Sequence, residues 1–93
     1  MVWNVSKAEF NVWGRGMEDC GEMVTNYNNG DEGLRFSYTH YITGVITGMM
    51  MATNNTSDAS NHAIILETYN YCKENPLEKF YWAIAMTFNK LVE

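Results

Sequence analysis

Basic residues are scarce in this 93-residue chain, with six Lys and Arg against eleven Asp and Glu and a formal net charge of -5. That balance argues against nucleic acid or an anionic membrane as partner, because the long-range field would repel a polyanion. An acidic surface suits solubility, or attraction to a basic partner protein. Long hydrophobic runs are missing as well. The most apolar stretch covers about a dozen positions broken by threonines, against the ~20 needed to cross a bilayer. The N-terminus, MVWNVSKAEF, lacks the basic start and apolar core of a signal peptide. Either the protein is cytoplasmic, or it is periplasmic or secreted and a signal has been removed; the N-terminus leaves both open. There are only two cysteines, Cys20 and Cys72. Without a third or fourth cysteine, and without Cys-x-x-Cys, the usual zinc sites have no support. Nucleophile elbow, phosphate loop and His-Glu metal motif are absent too. The chain therefore reads as a non-enzyme, with no cofactor and no metal.

The stretch Tyr38–Ala52, YTHYITGVITGMMMA, carries the strongest pattern. Tyr38, Tyr41, Ile42, Val45, Ile46 and Met49 recur at three- and four-residue spacing, which puts them on one stripe of a helix. Gly44, Gly48 and Ala52 form a second stripe of small residues, against which another backbone could pack closely. Two mid-helix glycines cost about 1 kcal/mol each relative to alanine, and packing is expected to recover that loss. This is read as the central helix of an all-α domain.

Around it the chain divides into a short arm and one helical domain. Residues 1–13 read as an N-terminal arm, with Phe10, Val12 and Trp3 lying on the core, and 14–93 as the domain. Gly14 and Gly16 precede a first helix over Met17–Asn26, whose inward face is Met17, Cys20, Val24 and Tyr27. Asn28-Asn29-Gly30-Asp31 is a turn by composition, after which Asp31 or Glu32 opens the central helix. That helix ends near Thr53, and Ser57 or Ser60 caps a third helix running to Glu74. Ile65, Tyr69 and Cys72 make its inner face, flanked by Ile64 and Leu66. Asn75-Pro76-Leu77-Glu78 reads as a capped start, with Asn75 as N-cap, Pro76 in the first position and Glu78 closing a capping box. A fourth helix then buries Phe80, Ile84, Phe88 and Leu91 beside Ala83 and Thr87. A compact bundle of about four helices results.

Each chemically suggestive residue has a plain reading beside it. Cys20 and Cys72 are either a disulfide or two buried thiols, and spacing leaves both open. A bond would close a loop of about 52 residues and contribute roughly 4 kcal/mol. His40 and His62 lack metal-ligand spacing and read as packed or surface side chains. Glu18/Asp19, Asp31/Glu32 and Glu67/Glu74 read as solvated helix faces. Asn54-Asn55-Thr56 spells a glycosylation acceptor, a match that so short a tripeptide makes by chance. Met49-Met50-Met51 is a candidate partner-binding surface, since exposed methionines adapt to many shapes, or else is covered by neighbouring loops. Trp3, Trp13 and Trp82 are core or arm anchors first and interface residues second.

Three segments together resemble a known group. They are Cys20 on the first helix, Tyr41-Ile42-Thr43-Gly44-Val45-Ile46-Thr47-Gly48 on the second, and Tyr71-Cys72-Lys73-Glu74-Asn75-Pro76-Leu77-Glu78 at the third junction. Their order is similar to that in small bacterial periplasmic proteins that include the HdeA-type acid-stress chaperones and the Rap/Tai-type immunity proteins of type VI secretion. The resemblance implies a Cys20–Cys72 disulfide joining the first and third helices, and an exported protein, since such bonds persist in oxidising compartments. Tyr41, Gly44, Gly48, Asn75 and Pro76 are read from the helix pattern and the Asn75-Pro76 junction as structural helix-packing residues. The chain departs from the Rap/Tai pattern at Tyr38, where a cysteine is common, and lacks their C-terminal cysteine. It has more glycine and aromatic residues than the HdeA type and is less lysine-rich.

The expected function is a small exported, immunity-protein-like protein that binds and inhibits another protein, such as a basic effector or toxin. An HdeA-like acid-stress chaperone is the alternative, and a phage or mobile-element cytosolic inhibitor with free thiols is a third. Oligomeric state is open, with a homodimer among the options.

Overall fold

The computed structural model describes residues 11–92, and these form four α-helices after a 3₁₀ turn at Gly14–Met17. They are α1 (Cys20–Asn29), α2 (Glu32–Thr53), α3 (Asn61–Glu74) and α4 (Phe80–Leu91). The fold is all-α, and Cys20 and Cys72 are disulfide-bonded, tying α1 to α3. Free thiols are excluded by that bond. Trp3 and Phe10, the anchors expected for the arm, lie outside the described residues.

Local chemistry sets two helix starts. The Asp31 carboxylate accepts from the Leu34 amide at 2.9 Å, and the Ser60 hydroxyl accepts from the Ala63 amide at 3.1 Å. Each satisfies a donor that the first helical turn leaves without a backbone partner. At the other end of α2, Asn54 adopts a left-handed conformation with φ 57°, which asparagine tolerates better than most residues. Arg35 of α2 reaches back to the end of α1, donating to the carbonyls of Tyr27 and Asn28 at 2.8 and 3.2 Å. There a cation also meets the negative end of the helix dipole.

The core gathers Cys20 and Met23 of α1, Tyr38, Ile42 and Ile46 of α2, Ile64 and Cys72 of α3, and Phe80, Ala83, Ile84 and Phe88 of α4. The central stripe is inward as expected. Phe80 touches both tyrosines of that stripe, edge-on to Tyr38 at 5.6 Å and stacked with Tyr41 at 5.8 Å between ring centres. Thr68 and Thr87 meet between α3 and α4, hydroxyl to hydroxyl at 2.8 Å. One donates to the other, whose own proton goes to its helix carbonyl, so a buried polar pair is satisfied without water.

Several sequence expectations are corrected. The chain is not helical at Met17 in the way the spacing suggested. A 3₁₀ turn ends there, α1 begins at Cys20, and Met17 is exposed while Met23 is buried. On α3 the fully inward row is Ile64, Thr68 and Cys72, with the expected Ile65 and Tyr69 half-buried beside it and the flanking Leu66 exposed. Asn75 does not open α4 but terminates α3, its side-chain amide donating to the Tyr71 carbonyl at 3.0 Å. Pro76 is correspondingly in a turn, and α4 starts four residues later at Phe80.

Gly44 and Gly48 are also not packing residues within this domain. Both are exposed, and a Cβ at either would meet nothing within 4 Å. Close approach occurs instead at Gly16, where a Cβ would lie 2.3 Å from the Tyr41 hydroxyl oxygen. Tyr41 keeps its packing role there, donating to the Trp13 carbonyl at 2.9 Å. Gly14, with φ +72°, makes the bend that brings the 3₁₀ turn under this ring.

Because the disulfide closes a loop spanning 52 positions, reduction and alkylation should lower unfolding stability by about 4 kcal/mol on a chain-entropy account. Urea unfolding of the oxidised and reduced-alkylated forms measures this.

Candidate protein-binding site

The segment between α3 and α4 is the most heavily braced turn among the described residues. Cys20 donates its amide to the Glu78 carbonyl at 2.7 Å, and Phe80 returns one to Glu18 at 2.8 Å, forming a one-pair antiparallel bridge. Gly21 donates to the Pro76 carbonyl at 2.9 Å. The start of α1 thus uses amides that its own helix cannot satisfy to hold the turn. Lys79 and Asp19 pair across the same bridge at 2.9 Å, and the Cys20–Cys72 bond sits directly beneath.

On this turn stands Leu77, 93 % exposed. A leucine so fully in water on so constrained a backbone loses little entropy when a partner covers it. Trp82, in the first turn of α4, is 42 % exposed. Burial raises the Tyr71 pKa, with the negative charge of Glu78 adding to it. Glu78 is thus next to Leu77 in sequence and close to Tyr71 in space. Exposed Glu74 and Glu22 flank the turn, Glu22 through Gly21, whose amide contacts Pro76. Lys73 is exposed here as well, while Lys79 is engaged with Asp19. The result is an apolar point with a predominantly acidic surround.

The methionine cluster is corrected in part. Met49 and Met50 pack against the core, leaving Met51 alone exposed, at 77 %. His40 and His62 are both exposed and far apart in their roles, His40 lying against the Phe36 ring at 3.9 Å between centres. Among the described residues no three His, Cys, Asp or Glu side chains gather in a metal-binding arrangement. No helix among the described residues is long and apolar enough to cross a membrane.

The acidic pairs are not simply solvated faces. Glu67 pairs with Lys90. Glu18 accepts a short hydrogen bond from the buried Tyr38 hydroxyl and is paired with Arg15 at 2.7 Å. Asn26 donates to the same Tyr38 oxygen at 3.1 Å, and the Arg15 guanidinium lies over the Tyr38 ring at 4.6 Å. This cluster joins the 3₁₀ turn, α1 and α2. The one sequence clue was a tyrosine on a core stripe, whose hydroxyl must find a partner when buried.

No family model matches the chain, and no curated protein or solved structure is significantly similar to it.

Burial, reinforced by the hydrogen bond to Glu18, raises the Tyr38 pKa, and burial also raises that of Tyr41. A raised tyrosine pKa stabilises the fold fully below the unfolded value of about 10, and that contribution is lost as pH climbs through the folded value. An ultraviolet phenolate titration should therefore show Tyr38 and Tyr41 ionising late, and Tyr38→Phe should remove part of that late phase.

Proposed function

We propose that this chain is a small exported binding protein that neutralises a basic partner protein, as immunity proteins do. It would be held in an oxidising compartment where the Cys20–Cys72 bond persists. The observation that carries the reading is Leu77, exposed at 93 % on a turn pinned by three backbone hydrogen bonds and the disulfide. Interface energy concentrates in a few preorganised apolar anchors surrounded by polar groups. The acidic surround of Glu22, Glu74 and Glu78 favours a cationic partner by steering its approach, an effect that salt screens.

Capture with the oxidised protein should recover one defined basic protein and inhibit its activity. Leu77→Asp should weaken that binding at least tenfold, equivalent to about 1.4 kcal/mol, with thermal stability unchanged. Recovery of only chaperones and abundant proteins, or equal binding by Leu77→Asp, would count against the reading.

An acid-activated chaperone is the second reading, and Glu18 is the observation that favours it. Its carboxylate accepts from Tyr38 and pairs with Arg15 where three elements meet, so this junction rests on a charge-assisted contact and not on apolar packing alone. Retained near-ultraviolet circular dichroism and no dye binding at pH values of about 2 would eliminate this reading.

A further inference from the structure

The joint between α1 and α2 holds the chain's single Asn-Gly pair, Asn29-Gly30. Asn29 is the last residue of α1 and is exposed. Its carboxamide makes no hydrogen bond among the described residues. Asn28 differs, because its side-chain oxygen accepts from the Tyr69 hydroxyl at 2.9 Å and is held against α3. The backbone at Gly30 is also unlike the other helix ends. After α2, α3 and α4 the capping amide donates to a helix carbonyl, from Asn54 to Met50, Asn75 to Tyr71 and Cys72, and Val92 to Phe88. The Gly30 amide makes no such bond, and Gly30 has left the helix with φ -77° and ψ 160°. Helix ends fray, so the Asn29 side chain can turn onto the Gly30 nitrogen without breaking a hydrogen bond at either group.

We propose that Asn29 is a self-modification site, where the folded chain converts this amide to an acid without an enzyme. The Gly30 nitrogen gives its proton to solvent base and attacks Cγ of Asn29. A C–N bond forms, the carboxamide nitrogen leaves as ammonia, and a five-membered succinimide results. Water then opens the ring at either carbonyl, giving aspartate in the normal linkage or isoaspartate linked through the side-chain carboxyl. No oxidant or reductant is needed. Glycine matters because it has no side chain to crowd the attacking nitrogen. Asn28, Asn54 and Asn55 are exposed too, but asparagine or threonine follows each. The products act on the joint. A new carboxylate stands at the carboxyl end of α1, where the helix dipole disfavours negative charge. Isoaspartate also adds a methylene to the backbone beside Gly30, where space is short. A Cβ on Gly30 would lie 2.4 Å from the Asn26 carbonyl oxygen and 2.7 Å from Leu34 Cδ2, so lengthening the chain there displaces α1 from the first turn of α2.

The test is to age the purified, oxidised full chain in mildly alkaline buffer, folded and in urea. Peptide mass spectrometry with isoaspartyl methyltransferase labelling then reads each asparagine. In the folded protein, conversion at Asn29 should outpace that at Asn28, Asn54 or Asn55 by about tenfold or more, with isoaspartate among the products. Asn29→Gln, whose ring would be six-membered, should abolish this early conversion and keep Tm. Asn29→Asp supplies the charge without the methylene, and the aged isoaspartyl fraction isolated by ion exchange should melt below it. Conversion at Asn29 no faster than at Asn54, or conversion in urea with none in the folded chain, overturns the proposal.

Discussion

The start of α1 is clasped to the turn between α3 and α4, and the rest of the domain depends on that clasp. The disulfide places Cys20 and Cys72 with Cα atoms 4.6 Å apart. The amides of Cys20 and Gly21, which no helix can satisfy internally, then find carbonyls at Glu78 and Pro76. Phe80 is fixed at its position by returning an amide to Glu18. Its ring consequently reaches Tyr38 and Tyr41 of the central helix. One covalent bond and three hydrogen bonds thus orient α1, the turn and α4 together, and α2 packs against what they form.

Features that depend on a few neighbouring residues were legible in the sequence. The inward stripe of α2, its Asp31 cap, the Ser60 cap and the inner face of α4 all follow from spacing or from a side chain bonding its own backbone. Asn75 shows where this stops. Its local signal is that of an N-cap, but the backbone of Pro76–Lys79 is bonded to α1, a partner more than fifty residues away, so the helix begins later. Glu18 failed for the same reason: its pairing with Arg15 is local, but nothing nearby in sequence announces Tyr38, twenty residues on. The small-residue stripe was recognised correctly as a pattern. The stripe faces outward, however, because in a chain this short the core is filled by the large residues on the other side.

The exposed apolar side chains fall into distinct settings with different chemistry. Leu77 stands on a turn bonded to α1, with Glu74 and Glu78 close in sequence, and is the side chain from which partner binding is proposed. Phe36 and Met51 stand on α2, in a stretch 36–57 that has no Asp, Glu, Lys or Arg.

The most direct test of the clasp is amide hydrogen exchange at Cys20, Gly21 and Phe80, compared between oxidised and reduced protein. In the oxidised protein these amides should exchange only through global unfolding, with protection equal to that of core residues such as Ile42. Reduction should lower their protection more than that of α2. Rapid exchange at these three amides while the disulfide is intact would contradict the account.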